Sequence, residues 1–117
     1  MRNILLVILI LITGCQLDLS TKLEIVSEVT DKGDLVINEQ QFKLCGIKIL
    51  KPKQAKAYME KFIGQEIGVI YVKDGIEIFT NLGETPEIFI NEEILVRDWG
   101  KVIDANCPNQ TVLQNAR

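Results

Sequence analysis

The stretch FKLCGIKILK (residues 42–51) is the basis of the fold prediction. It mixes aliphatic and polar side chains in the manner of a half-buried β-strand, and Gly46 indicates a bulge or a bend within it. Two shorter runs of the same kind precede it, at residues 23–29 and 35–38, with turn-forming clusters between the runs. We therefore expect a meander of three strands in the first half of the chain.

An amphipathic helix is predicted directly after the third strand. Pro52 suits the first turn of a helix, and Gly64 stands where a C-terminal cap is expected. Four apolar side chains at the spacing i, i+3, i+4 and i+7 form one face, namely Ala55, Tyr58, Met59 and Phe62. This pattern predicts a helix that links strands 3 and 4.

The second half of the chain predicts two more strands and a second helix. The strands cover residues 66–72 and 76–81, with a tight hairpin turn between them. Asn91 precedes two carboxylates, which is typical of a helix N-cap, so we expect a helix to about Trp99 with Ile94 and Leu95 buried. A short extended segment is expected at residues 101–105. This order predicts a mainly β (β+α) fold, a five-stranded OB-type barrel with a helix between strands 3 and 4 and a C-terminal helix.

The first 15 residues, MRNILLVILILITGC, have the pattern of a secretory signal. Arg2 precedes an apolar run of about nine residues, which is too short to span a bilayer as a helix. The segment closes on Cys15 and resembles the bacterial lipobox, whose cysteine is diacylated and becomes the new N-terminus. The alternatives are an ordinary signal peptide with a chance cysteine, or a buried apolar strand. We expect diacylglycerol and palmitate on Cys15.

A lipid on Cys15 would hold the protein on a membrane, because two or more acyl chains bind a bilayer stably. By resemblance to enterobacterial sorting rules, Gln16 favours the periplasmic face of the outer membrane, or the cell membrane if the host has a single membrane. We expect a signal peptide at residues 1–14, a linker at 15–22, one domain at 23–105 and a polar, loose tail at 106–117. The tether between the lipid and the first strand spans at most about 20 Å, which keeps the domain close to the membrane.

The charge and composition exclude several classes of function. Without residues 1–14 the chain loses one of its 13 basic side chains and keeps all 16 acidic ones, so the net charge moves from −3 to −4. An acidic domain is a poor match for nucleic acid, which is bound through a basic surface. The chain contains no histidine, which excludes histidine-based acid–base catalysis and most zinc sites.

Two cysteines remain besides Cys15. Export would place Cys45 and Cys107 in an oxidising compartment, where we expect a disulfide between them; two buried free thiols are the alternative. The long segment that such a bond would enclose corresponds to a stabilisation of roughly 4 kcal/mol at best.

Four segments resemble the staphylococcal-nuclease-like (thermonuclease) family over roughly residues 23–104. They read IVSEVTDKGDLVI, FKLCGIKIL, AKAYMEKFIGQEIGVIYV and INEEILVRDWGKV. The family pattern is a "V.DGDT" hairpin, an "RLxGIDAPE" strand, an "A…L..G..V.V" step and a "vN..Lv..G.AkV" helix. The LCGI and INEEILVRDWGKV pieces are the most specific matches. The resemblance implies the same OB-type barrel.

The resemblance also implies which residues would carry catalysis. In the family, two arginines stabilise the phosphoryl transition state, a glutamate positions water and aspartates hold calcium. Lys43 stands at the first arginine, and lysine lacks the planar bidentate fork. The second arginine falls on Ile76 or Glu84, depending on where the gap is placed.

The turn that follows the third strand departs from the family pattern as well. Lys48 stands at the metal-binding aspartate, and the proline and glutamate of that turn are replaced by Leu50 and Lys51. Asp31 and Asp34 are the remaining metal candidates, and two aspartates in one turn are more often simple turn residues. We therefore expect no metal site, no cofactor and no nuclease activity.

These observations predict a non-catalytic envelope lipoprotein whose domain is a binding or scaffolding module. Its partner would be another envelope protein, including a component of a secretion or DNA-transfer apparatus. Two alternatives remain, a weak or altered surface nuclease and a nucleic-acid binder that does not cleave. The second alternative would use a basic patch made of Lys43, Lys48, Lys51, Lys53 and Lys56.

Overall fold

The computed structural model describes residues 21–80 and 87–116. The first half contains β1 (Lys22–Val29), β2 (Leu35–Ile37), β3 (Gln40–Phe42), β4 (Ile47–Ile49), α1 (Pro52–Met59) and a 3-10 turn (Glu60–Phe62). The second half contains β5 (Glu66–Val72), β6 (Gly75–Thr80), β7 (Ile88–Phe89), α2 (Ile90–Val96), β8 (Gly100–Val102) and α3 (Gln110–Gln114). The predicted signal peptide, Cys15 and most of the linker lie outside the described residues.

The strands form one large antiparallel sheet and one small ribbon. The sheet has the order β3-β2-β1-β5-β6-β7, and β4 pairs with β8 alone. A mainly β architecture is therefore confirmed. The sheet is not a closed barrel, but Leu44 and Ile76 form a parallel bridge between the segment after β3 and the start of β6. Backbone hydrogen bonds of 2.8 and 2.9 Å join Ile76 to Cys45 and Lys43 there.

The segment predicted as the third strand contains only the last residue of β3, Phe42, and the whole of β4. β3 ends at Phe42, and β4 begins at Ile47 in the other sheet. Gly46 between them has a φ of 77°, in the left-handed region, and a Cβ there would lie 2.7 Å from Cδ1 of Leu113. The predicted bend at Gly46 is confirmed, but the prediction of one continuous strand is wrong because the bend separates the end of β3 from β4.

The first helix begins where it was predicted, but α1 ends at Met59, so the prediction of Gly64 as its C-terminal cap is wrong. Phe62, the last residue of the predicted buried face, lies in the 3-10 turn and is half-buried. α1 begins at Pro52, and Ala55, Tyr58 and Met59 are buried in the core. Gly64 has a φ of 84°, and its N–H donates to the Val26 carbonyl at 3.1 Å. That bond joins the end of the helical segment to β1.

The second helix begins before Asn91, so the prediction of Asn91 as an N-cap is wrong. The Asn91 side chain is fully buried, and its Oδ1 accepts a hydrogen bond from the Ile78 N–H at 3.0 Å. Its Nδ2 donates to the carbonyls of Cys45 (3.1 Å) and Ile76 (3.0 Å). Ile94 and Leu95 are buried as predicted, although α2 ends at Val96 rather than near Trp99. Asn91 thus links α2 to two separate segments of the sheet region.

The C-terminal segment packs against the domain, contrary to the expected loose tail. Cys45 and Cys107 form the predicted disulfide, with their Cα atoms 5.9 Å apart. Leu113 of α3 is buried, and the carboxylate of fully buried Glu77 accepts hydrogen bonds from the backbone N–H (2.8 Å) and Nδ2 (2.7 Å) of Asn109. We call the set Asn91, Glu77, Asn109 and the Cys45–Cys107 disulfide the buried polar junction.

Candidate functional site

The candidate site is a groove of about 440 Å³ beside the bend at Gly46. Residues from the β1–β2 turn, β3, β4 and the segment after β8 surround it. The lining consists of Lys32, Asp34, Gln41, Lys43, Leu44, Ile47, Lys48, Ile49 and Ile103. We call this surface the lysine groove.

The β1–β2 turn reaches the lysine groove because of Gly33. This residue has a φ of 89°, and a Cβ there would lie 2.5 Å from Cδ1 of Ile49. Any larger side chain would therefore strain the backbone of the turn and require Cδ1 of Ile49 to move. The close approach brings the neighbouring Lys32 into the lining.

The bend at Gly46 brings two more lysines into the same lining. Lys43 follows β3, whereas Lys48 lies in the middle of β4. Lys48 stands directly opposite Lys101 of β8 in the antiparallel register. Like charges at opposed positions do not stabilise a ribbon, so this pair concentrates positive charge at a cost to local stability.

The groove has an aliphatic floor and a positive rim. Leu44 and Ile47 are buried, whereas Ile103 is 41% exposed. Three lysines and one carboxylate, Asp34, line the groove, so its charge is opposite in sign to that of the whole chain. Asp34 Oδ2 accepts a hydrogen bond of 2.9 Å from Gln41 Nε2. The arrangement suits an elongated anionic ligand with some apolar surface.

The structure brings together only part of the predicted basic patch. Lys43 and Lys48 line the groove, whereas Lys51 and Lys53 are exposed near the start of α1 and do not line it. Lys56 Nζ lies 2.6 Å from Oδ1 of Asp31. Lys32 belongs to the groove but was not predicted, because a lysine in a turn has no sequence signal that separates it from an ordinary solvated residue.

The two predicted metal candidates, Asp31 and Asp34, bind other side chains. The hydrogen bond and the charge of Lys56 lower the pKa of exposed Asp31, and Gln41 donates to Asp34. Within residues 21–80 and 87–116, no group of three or more His, Cys, Asp or Glu side chains is placed to hold a metal ion. Neither aspartate therefore belongs to a described metal cluster.

The positions that the nuclease resemblance assigns to catalysis are occupied by residues of other types. Lys43 and Lys48 line the groove, and Ile76 is fully buried in the bridge with Leu44. Glu84 lies outside the described residues. Arg97 does not line the groove, because its guanidinium packs on the rings of Tyr58 and Trp99. The described lining of the groove therefore contains no arginine and no glutamate.

The three lysines of the groove outnumber its one described carboxylate, Asp34, so the charge of the groove is complementary to an anion. The nearby Cys45 is held in the disulfide and cannot act as a thiolate. Its lysines supply charge and hydrogen-bond donors in a half-apolar setting.

Comparison with models of known protein families gave no match, and comparison with curated proteins gave none either. The likeness to the staphylococcal-nuclease-like family therefore stays a hypothesis that rests on short motifs. In the part of the chain that the structure describes, no helix has the length and apolar character needed to cross a membrane.

Proposed function

We propose that this protein is a membrane-anchored envelope lipoprotein whose β-rich domain binds or scaffolds a partner and catalyses no reaction. One observation carries the proposal. The lysine groove has three lysines and an aliphatic floor at the place where the nuclease resemblance implies arginines, a glutamate and a metal site. Binding needs only complementary charge and shape, whereas phosphodiester hydrolysis needs preorganised groups that match the transition state.

The OB-type barrel is part of the same proposal. The meander of β1, β2 and β3 and the pairing of β1 with β5 support it. The parallel bridge of Leu44 with Ile76 supports it further, since it brings the end of the meander to β6. Partly open barrels of this type bind ligands on one face and the adjacent loops, and the lysine groove is lined by β3, β4 and the segments beside them.

The ligand class follows from the lining of the groove. An acidic segment of another envelope protein would meet the ammonium groups of Lys32, Lys43 and Lys48, and its apolar side chains would contact the aliphatic floor. A component of a secretion or DNA-transfer apparatus fits this description. The proposed anchor at Cys15 would keep the groove within reach of such membrane-bound partners.

Site-specific photo-crosslinking in cells tests the groove directly. A photoreactive amino acid in place of Lys48 should give one reproducible crosslinked partner, and the same replacement at exposed Lys53 on α1 should not. Additional Lys32→Glu and Lys43→Glu changes should remove the crosslink, because they reverse the charge of the rim. The proposal fails if the Lys48 and Lys53 positions give the same products, or if charge reversal leaves the crosslink intact.

The anchor needs its own measurement. Metabolic labelling with palmitate should mark the wild-type protein, and Cys15→Ser should abolish the label and release the protein from the membrane fraction. A labelled Cys15→Ser variant would contradict lipidation at that residue.

Nucleic-acid binding without cleavage is the second candidate function. The excess of lysines over carboxylates in the groove favours it, whereas the acidic balance of the chain and an aliphatic rather than aromatic floor count against it. A gel shift with a single-stranded oligonucleotide at low salt decides between the two. A shift that Lys43→Gln with Lys48→Gln removes would favour the nucleic-acid binder over the protein-binding module.

A plasmid-digestion assay with calcium tests the third hypothesis, that the protein is a weak nuclease. We expect no cleavage. Cleavage that Asp34→Ala abolishes would overturn the proposal of a non-catalytic domain, because Asp34 is the carboxylate in the described lining of the groove.

A further inference from the structure

A second surface of the domain combines aromatic rings with cations. It lies between α1 and the residues that follow α2, and it forms a shallow groove of about 270 Å³. We call it the aromatic–cationic face, and its lining consists of Gln54, Ala57, Tyr58, Lys61, Arg97 and Trp99. None of these residues lines the lysine groove.

One side of this face is a stripe along α1 and the 3-10 turn. Gln54, Ala57 and Lys61 are three and four residues apart, a spacing that places side chains next to one another on a helical surface. Ala55 and Met59 point into the core, so the stripe flanks the buried side of the helix. The stripe is therefore held rigidly by core packing.

Two cations lie over the rings of this face. The guanidinium carbon of Arg97 is 4.5 Å from the ring centre of Tyr58 and 5.4 Å from that of Trp99, and Lys61 Nζ is 5.4 Å from the Tyr58 ring. Arg97 Nε donates to Glu93 at 3.2 Å, which fixes the guanidinium. Glu93 lies outside the lining and offsets part of the Arg97 charge, so Lys61 and Arg97 together leave a net positive charge at the lining. Positive charge over an apolar aromatic floor is complementary to an anionic surface with an apolar interior.

The surface beside Trp99 adds an aliphatic side chain and another cation. The backbone N–H groups of Leu50 and Lys51 both donate to the Trp99 carbonyl, at 2.8 and 2.9 Å. Leu50 is 52% exposed and Lys51 is exposed as well. Tryptophan, exposed leucine and basic residues together are the composition of a membrane-interface contact.

The middle of β1 is joined to the residues that follow the 3-10 turn of this face by the hydrogen bond from Gly64 to Val26. Leu23 and Ile25 of β1 are 58% and 55% exposed. β1 begins at Lys22, four residues before Val26 or about 13 Å along the strand.

We propose that the aromatic–cationic face docks on an anionic lipid surface, with Trp99 among the headgroups and with Arg97 and Lys61 on lipid phosphates. The inference rests on the proposed anchor at Cys15, whose short tether leads to the start of β1. Docking would fix the orientation of the domain and leave the separate lining of the lysine groove available to a partner.

Trp99 is the single tryptophan of the chain, so its fluorescence reports on this face alone. The experiment uses the lipidated protein, labelled with palmitate and reconstituted into vesicles of phosphatidylcholine with or without phosphatidylglycerol. On anionic vesicles we expect Trp99 to be quenched by lipids brominated in the acyl chain and to be at least about twofold less accessible to acrylamide. On neutral vesicles both effects should be weaker.

Two double variants distinguish binding through this face from a general effect of the net charge of the protein. On anionic vesicles, Arg97→Gln with Lys61→Gln should reduce the quenching and raise the acrylamide accessibility of Trp99 to the values seen on neutral vesicles. Lys43→Gln with Lys73→Gln, which removes the same charge from residues outside the face, should not. Circular dichroism checks that each variant is folded. The proposal is overturned if Trp99 is equally accessible on both vesicles, or if the two variant pairs behave alike.

The anchor and the docking face can fail separately. Absence of the palmitate label would contradict the anchor, and anionic vesicles added to the unlipidated protein would then still decide the docking face. In that case each removed cation should weaken vesicle binding by about fivefold. Binding that is unchanged by Arg97→Gln with Lys61→Gln would contradict docking through this face.

Discussion

The buried polar junction and the lysine groove adjoin one another in the chain, but the polar side chains are buried in the junction and exposed in the groove. Lys43 and Leu44 line the groove, and the next residue, Cys45, belongs to the junction. In the junction, Asn91 and Glu77 are fully buried, and the hydrogen bonds that join them to Ile78, Cys45, Ile76 and Asn109 are 2.7 to 3.1 Å long. In the groove, Lys43 and Lys48 are exposed.

Buried polar residues of the junction stabilise the fold, whereas exposed lysines of the groove are available to a ligand. A buried polar group that loses its partner costs about 1 to 3 kcal/mol, so the junction has a single favourable arrangement. An exposed lysine loses almost nothing when its neighbour changes. Substitutions in the junction should therefore reduce stability, whereas substitutions in the groove should change only binding.

Removal of the disulfide should have the largest effect. Cys45→Ala with Cys107→Ala frees a segment of 62 positions, and the loss of this constraint on the unfolded chain corresponds to about 4 kcal/mol. Thermal and urea unfolding measure the change, and reduction of the wild-type protein should reproduce it. Reductant should not change the double variant further. A midpoint of the double variant that equals that of the oxidised wild type would contradict the expectation.

Asn91→Ala should have the next largest effect. The substitution leaves the Ile78 N–H without its side-chain acceptor and takes one donor from the Cys45 carbonyl, at a cost of about 3 kcal/mol. Urea unfolding measures this loss against Asn115→Ala, an exposed asparagine that should change stability by less than about 0.5 kcal/mol. Equal effects of the two substitutions would show that the buried hydrogen bonds contribute little.

The two tyrosines of the chain predict a dependence of stability on alkaline pH. Burial and then the hydrogen bond to Glu24 (2.7 Å) raise the pKa of Tyr71, and burial followed by the charge of Glu93 raises the pKa of Tyr58. A raised pKa in the folded state means that this stability is complete below the unfolded pKa of about 10 and is lost as the pH rises from there towards the folded pKa.

Absorbance of the phenolate measures both tyrosines directly. The native protein should titrate at higher pH than the protein in concentrated urea, and Tyr71→Phe should leave one native transition, that of Tyr58. Coincident native and unfolded titration curves would rule out the burial that the structure assigns to these rings.

Changes in the lysine groove should have the smallest effect on stability. Lys43→Gln with Lys48→Gln should alter the free energy of unfolding by less than about 0.5 kcal/mol, because both side chains are exposed. The same pair should weaken binding of a fluorescent polyglutamate peptide by about tenfold. Lys51→Gln with Lys53→Gln removes the same charge outside the groove and is the control. A large loss of stability in the groove variant would contradict the expectation that these lysines affect only binding.

Local patterns predicted the elements that depend on neighbours in the chain. α1 was predicted because Pro52, a helically spaced apolar face and Gly64 lie within one stretch of 13 residues. The spacing of these residues follows from the geometry of a single helix, without contacts to other parts of the chain. The strands at β1 and β5 were predicted for the same reason. α3 was missed because a five-residue helix with one buried side chain, Leu113, shows no periodicity.

The candidate site could be predicted only in part. Lys43 and Lys48 were identified from the chain, but Lys32 enters the groove through the close approach of Gly33 to Ile49, 16 positions away. Asn91 was misinterpreted because an asparagine before two glutamates is typical of an N-cap. Its actual partners, Cys45 and Ile78, are 46 and 13 positions away.

The sequence was enough to predict the β-rich class, the first helix and the bend at Gly46, because each depends on side-chain pattern and backbone preference over a few residues. It also indicated which two cysteines would pair. Only the tertiary structure decided that Asn91 and Glu77 are buried, that three lysines share one groove and that Arg97 and Lys61 share one ring. These contacts join distant segments, and their energy depends on burial and distance, for which a linear pattern carries no signal.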